Sequence, residues 1–185
     1  METVTIITGL PRSGTSLMMQ IMERTSLPIL SDDLREKDIN NPKGYYEFEA
    51  VKGIVKDNTF LKDAGGKVVK IVTPLPLFLD KTLSYRVLFM RRDIEEILRS
   101  QEKMLGKDQS SEREKFKTIY ELHLKKTYAF FEQNSIQYID IWYRDLITNS
   151  EVELKRIIDF LKLPQQLEDL ASAVHPELYR NKLDQ

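Results

Sequence analysis

Cysteine is absent from this chain of 185 residues, histidine occurs twice and tryptophan once, and neither sign of charge dominates, with 28 basic against 29 acidic side chains. Without cysteine there is no disulfide framework and no thiolate metal site, which points to a reducing compartment or to no redox role. A net charge of −1 sets up no overall field for nucleic acid or an anionic membrane, so anion binding has to be local. Long hydrophobic runs are also missing. No stretch approaches the roughly 20 apolar residues that span a bilayer, and the N-terminus has neither the basic start nor the apolar stretch of a signal peptide. These absences set the expectation of a soluble, cytoplasmic protein with no membrane span and no nucleic-acid partner. The length suits one domain, residues 1–185, with a real core, and is too short for two ordinary domains.

What is present is alternation. Nearly continuous apolar runs at Val4–Thr8, Val68–Val72, Arg86–Met90 and Ile136–Ile141 read as strands buried on both faces, hence a mainly parallel sheet. Helical spacing falls between and after them: Thr15 to about Thr25, Glu47 to about Asn58, Asp93 to about Met104, Ser111–Gln133, Ser150–Leu161, and a short closing helix near Gln165–Val174. Asp93, with Glu96 three residues on, forms an Asp-led variant of the capping box. The fold class expected is α/β, a three-layer sandwich with ligands at the carboxyl ends of the strands.

The first strand empties into Gly9-Leu10-Pro11-Arg12-Ser13-Gly14-Thr15-Ser16, a glycine-punctuated loop that opens a helix. Successive backbone N–H groups in such a loop, with the orphan N–H groups and positive dipole end of the helix, make a preformed anion site. Arg12 adds forked cationic donors, while Ser13, Thr15 and Ser16 add hydroxyls around Gly14. A tight turn without ligand would account for the glycines and Pro11, but not for Arg12 and the hydroxyls together. The glycine spacing is that of the Walker loop, GxxxxGK[ST], yet Thr15 stands where that motif has its lysine. That substitution argues against nucleoside-triphosphate chemistry.

Two further segments complete the pattern. Arg86–Met90 runs through Arg91 and Arg92 into a capped helix that carries Ser100, eight residues after Arg92. Ile139-Asp140-Ile141-Trp142-Tyr143-Arg144-Asp145-Leu146 is followed by a helix that ends in Leu163-Pro164. Together with Pro11–Ser16, these segments resemble the PAPS-dependent sulfotransferases over most of the chain, in a bacterial-type short form, and imply the P-loop NTPase-like sulfotransferase fold. The resemblance implies that Arg12, Ser13, Gly14, Thr15 and Ser16 hold the 5′-phosphosulfate, and that Arg92 and Ser100 hold the 3′-phosphate. It places Tyr143 near the adenine, with Arg144 in place of the family's acidic residue and Leu17 where many members carry a tryptophan. Family members often close the 3′-phosphate site with a basic C-terminal segment, which makes Arg180 a candidate; a frayed charged tail is the competing reading.

The implied reaction moves a sulfuryl group from PAPS to a hydroxyl or amine by in-line displacement, releasing PAP, with no metal required. The acceptor would be a small molecule or a glycan hydroxyl. Cytosolic members place a histidine in the loop that corresponds to Lys70-Ile71-Val72-Thr73-Pro74-Leu75-Pro76, and this chain has Lys70 there without a histidine. Other branches use a glutamate as base. Glu47, following the turn-forming stretch Asn41-Pro42-Lys43-Gly44 and opening the next helix, is the expected base, with Lys70 and Arg12 assisting the departing nucleotide. A helix N-terminal charge partner is the competing role for Glu47. The polar stretches Ser31–Tyr46 and Gly106–Ser111 are candidate acceptor surface. His123 lies on one stripe of the long helix with Phe116, Ile119, Tyr120, Tyr128 and Phe131, as a packing residue does, and His175 precedes Pro176. Two alternatives stay open: a small-molecule or nucleotide kinase with a modified phosphate loop, for which Asp140 and Asp145 are the near candidates for a metal-binding aspartate, and a PAPS- or PAP-binding protein of the same fold without catalysis. Oligomeric state cannot be read from this pattern.

Overall fold

A computed structural model describes residues 2–32, 46–106, 108 and 110–174. Four strands, β1 (Val4–Gly9), β2 (Val68–Lys70), β3 (Tyr85–Arg91) and β4 (Gln137–Trp142), form one sheet in the order β2-β1-β3-β4. Every pairing is parallel: Thr5 sits opposite Val68, Ile7 opposite Lys70, Gly9 opposite Met90, and Arg91 opposite Trp142. All carboxyl ends therefore share one edge of the sheet. Parallel strands need crossover connections, and helices supply them here: α1 (Thr15–Met22) and α2 (Glu49–Lys52) lie between β1 and β2, and α3 (Ile94–Leu105) and α4 (Arg113–Gln133) between β3 and β4, while α5 (Tyr143–Thr148), α6 (Ser150–Leu161) and α7 (Leu167–Ala171) follow β4.

Because side chains alternate across a strand, the apolar runs divide between two cores. Ile7, Val68, Leu88, Met90 and Ile141 pack with α1, α5, α6 and α7 through Met18, Leu146, Leu154 and Leu170. Val4, Ile6, Val69, Val87 and Phe89 face the opposite way and pack with Val51, Leu61, Phe130 and Phe131. Phe89 stacks on Tyr128 at 4.7 Å and meets Phe131 edge-on at 6.1 Å. A third, smaller cluster of Leu10, Ile97, Leu98 and Tyr120 joins the loop after β1 to α3 and α4. The three-layer α/β architecture expected from the alternation is the one observed. Among the described residues no helix is long and apolar enough to cross a membrane.

Some boundaries differ from the sequence reading, each for an identifiable reason. The helix expected over 47–58 shrinks to the four residues of α2, and Glu47 precedes it in an irregular stretch. The Asp32 carboxylate accepts from Glu49 N–H, so α2 starts there, and the chain turns again at Thr59–Asp63 in a 3-10 helix. β4 is not buried on both faces: it is an edge strand, with Gln137 and Trp142 exposed. β2 ends at Lys70, although the next residues keep bonding to β1 through Ile71 N–H to Ile7 O and Thr73 N–H to Gly9 O, at 2.9 and 3.0 Å. The capping expectation holds at α3, where the Asp93 side chain accepts from Glu95 and Glu96 N–H.

Truncating Phe89 removes a fully buried ring from the center of one core. Phe89→Ala is expected to lower the unfolding free energy by about 3–5 kcal/mol, measured by urea denaturation. Val152→Ala, at a side chain 62% exposed, should stay within about 0.5 kcal/mol of the parent.

Candidate functional site

At the carboxyl edge the loop after β1 takes an unusual path. Gly9, Arg12 and Gly14 have positive φ values of 148°, 69° and 103°. Both glycines are also crowded: a Cβ on Gly9 would stand 2.5 Å from the Met90 carbonyl oxygen, and one on Gly14 would stand 2.5 Å from Cδ2 of Tyr143. Gly14 caps α1 without a side chain, so no side-chain cap occupies the first-turn N–H groups of that helix. Two hydroxyls beside the loop, Thr8 Oγ1 and Ser13 Oγ, are buried with no hydrogen-bond partner. Leaving such groups unsatisfied costs about 1–3 kcal/mol each, so a ligand that accepts from them gains affinity. Thr15 is buried and Ser16 half-buried on the first turn of α1. Thr8 escaped the sequence reading, although a hydroxyl just before the strand-ending glycine was a visible signal.

Arg12 reaches across to α3, donating from Nε to Ser100 Oγ at 3.2 Å, and Ser100 is only 4% exposed. Arg92 holds the same loop from below, donating from Nη1 to the Arg12 carbonyl at 3.3 Å. Its Nε donates to Glu96 Oε2 at 2.9 Å, in an ion pair whose side chains are each 8% exposed. The guanidinium lies 4.6 Å over the Tyr143 ring. Arg12, Ser100, Arg92 and Tyr143 are thus brought together from segments far apart in the chain.

The neighboring Arg91 turns away. Its Nη1 donates to Tyr128 Oη at 2.6 Å, Tyr128 donates onward to Asp140 Oδ1 at 2.6 Å, and Asp140 Oδ2 is 3.6 Å from Arg91. The guanidinium also lies 5.0 Å over the ring of Trp142, the chain's single tryptophan. Burial, reinforced by the hydrogen bond to Asp140, pushes the Tyr128 phenol far above its ordinary range, so it stays protonated. This network ties α4 to the edge strand and engages the Asp140 carboxylate.

Tyr143 is buried beneath Gly14 and Arg92 rather than open at the surface. Burial raises its phenol pKa, against the opposing pull of the Arg92 charge. Lys70 is 7% exposed at the end of β2, next to β1. Glu47 is half-buried, and its carbonyl accepts from Asp32 N–H at 3.2 Å. Asp32 follows three residues after Ile29, which pairs in parallel with Val68. The Glu47 main chain therefore passes the carboxyl end of β2, the end that carries Lys70. Tyr46, beside it, donates from its hydroxyl to Glu23 at the far end of α1, at 2.7 Å. His123 is half-buried on α4, and burial, then the nearby Lys126, lowers its pKa. Arg180 and His175 lie outside the described residues, as does 33–45 of the expected acceptor loop. Among the described residues no group of three or more histidine, aspartate or glutamate side chains is placed to hold a metal ion.

A preset backbone, two arginines and unpartnered hydroxyls make an arrangement chemically suited to an anion. Gly9→Ala tests that geometry, since the added methyl meets the Met90 carbonyl and the site needs a positive φ. The expected outcome is a destabilization of about 1–3 kcal/mol, read by thermal unfolding.

No protein-family model matches the sequence, and no curated protein matches it. Among solved structures, the sulfotransferase domain from the curacin biosynthetic pathway aligns at a TM-score of 0.59 with 14% identity, covering 95% of this chain and 78% of its own. The sulfotransferase STF9 from Mycobacterium avium aligns at 0.55 with 11% identity, covering 93% and 67%. The parallel sheet and the helices on both its faces are therefore those of the sulfotransferase fold.

Proposed function

We propose that the protein is a sulfotransferase that moves a sulfuryl group from PAPS to a hydroxyl or amine acceptor and releases PAP. The observation that carries this reading is the pairing of the glycine-shaped loop with the Arg12–Ser100 bridge, beside the buried, unpartnered hydroxyls of Thr8 and Ser13. The loop, with Arg12, Ser13, Gly14, Thr15 and Ser16, suits the 5′-phosphosulfate end of the donor. Ser100 and Arg92, bonded to that same loop segment, suit the second phosphate that separates PAPS from ATP. Of the two near candidates for a metal-binding aspartate in a kinase reading, Asp140 is taken up by Tyr128 and Arg91.

In the displacement, the acceptor oxygen or nitrogen attacks sulfur as its proton passes to a base. The new bond to sulfur forms while the bond from sulfur to the bridging oxygen of PAPS breaks, and the electron pair stays on that oxygen as part of PAP. Glu47 is the proposed base, at the sheet edge that carries Lys70. Lys70 and Arg12 are the cations that offset the charge building on the bridging oxygen, where a water-excluded site makes them most effective. Tyr143, buried under the loop, sets the floor of the nucleotide site.

Two measurements test this. Thermal unfolding with PAP at about 100 times its dissociation constant should add about 2.7 kcal/mol, and each kcal/mol raises the midpoint by roughly 2–4 °C in a chain of this size. ATP with Mg²⁺ should give little shift; a shift with Mg²⁺-ATP alone would favor the kinase instead. Glu47→Gln should slow transfer by about 10²–10⁴-fold with PAP affinity unchanged, measured in an acceptor screen with PAPS. Turnover within a few-fold of the parent would remove Glu47 from the role of base, and PAP binding without turnover in any acceptor screen would favor the binding-only protein.

A further inference from the structure

A buried carboxylate is an odd neighbor for a site that binds anions. Glu96 sits on the first turn of α3, 6% exposed, with Oε2 2.9 Å from Nε of Arg92. Its charge opposes any phosphate brought to the same arginine, so its presence calls for a compensating role. The geometry around Arg92 supplies one. An arginine side chain has many rotamers, and a phosphate-binding arginine is effective only when its planar fork already points at the anion. Three contacts from three different elements fix this fork. Glu96, from α3, takes Nε; the Arg12 carbonyl, from the loop, takes Nη1; and the Tyr143 ring, from α5, lies under the plane at 4.6 Å. Glu96 is the one charged partner among them, on the first turn of α3 and four residues after its arginine, which stands just before the Asp93 cap.

Resting on the sulfotransferase reading above, we propose that Glu96 is a positioning residue that orients Arg92 for the 3′-phosphate and thereby sets the preference of the site for 3′-phosphorylated nucleotides. It touches neither the sulfuryl group nor the acceptor. The net effect of Glu96 on PAP binding is favorable despite its charge, because the orientation gained by Arg92 exceeds the repulsion across the guanidinium.

The test compares PAP with AMP, which lacks the 3′-phosphate, by isothermal titration calorimetry on the parent and on Glu96→Gln, an isosteric change that keeps an oxygen opposite Arg92 Nε. Glu96→Gln should weaken PAP by about tenfold and leave AMP within twofold, so the PAP/AMP ratio collapses. A merely structural role would weaken both nucleotides alike. Glu96→Ala should enlarge the loss of the ratio, and in an Arg92→Lys background the Glu96 substitution should have no further effect on it. Unchanged or tighter PAP binding by Glu96→Gln, or equal losses for PAP and AMP, overturns the assignment. A parent protein that binds no PAP sinks the sulfotransferase reading itself, and this inference with it, which separates the two failures.

Discussion

The position of the Arg92 guanidinium is the constraint on which the site depends. It is buried, paired with a buried Glu96, bonded to the Arg12 carbonyl and stacked over Tyr143. Removing either member of a buried ion pair strands the other and costs about 3–5 kcal/mol, so the pair is a strong local determinant. Through it the start of α3, the loop after β1 and the start of α5 hold one another in place. Arg12 carries a positive φ of 69°, a conformation that a residue with a side chain adopts only where its surroundings enforce it. The hydrogen bond from Arg92 to the Arg12 carbonyl and the bridge from Arg12 to Ser100 are two such enforcements.

Two consecutive arginines divide the work at the end of β3, where the chain leaves the sheet for α3. Arg92 goes to the loop, while Arg91, the last residue of β3, goes to Tyr128, Asp140 and Trp142. The first arrangement shapes the cradle. The second ties the long helix α4 to the edge strand and prevents that strand from depending on backbone pairing on one side alone. A basic pair that reads in sequence as one patch of charge is, in the fold, two separate networks.

The cradle is held ready at some cost. Thr8 and Ser13 keep buried hydroxyls without partners, and two glycines admit backbone and ring atoms where a methyl group would collide. Each unpartnered group lowers stability in the absence of ligand and favors the ligand that satisfies it. Pre-organization of this kind avoids the entropy of ordering a loop upon binding. The surrounding core, with Leu10, Ile97, Leu98 and Tyr120 packed directly against the loop and α3, supplies the stability that such a site draws upon.

Features that depend on neighbors in sequence were legible from sequence alone. Apolar runs located all four strands, the spacing of Ser150–Leu161 gave α6 its observed bounds, and Asp93 caps α3 as its side chain predicts. The glycine pattern and Arg12 marked the loop, because a tight turn into a helix is a local property of the chain. Tertiary packing decided the rest. The order β2-β1-β3-β4 makes β4 an edge strand, and no periodicity within a strand reports which neighbor it will have. The helix expected from Glu47 starts only at Glu49, whose N–H is taken by Asp32 seventeen residues earlier, and it ends at the Gly53 cap. The family resemblance sets Tyr143 near the adenine without saying how exposed it is, and it lies buried because Gly14 and Arg92, from two other elements, close over it. Glu96 reads as a capping residue, and its carboxylate instead meets Arg92, whose own direction depends on Arg12, eighty residues away. Hydrogen bonds and ion pairs between distant segments form only once the sheet has set the strands side by side, so the sequence determined the elements and their chemistry, while the packed fold alone determined which charges meet.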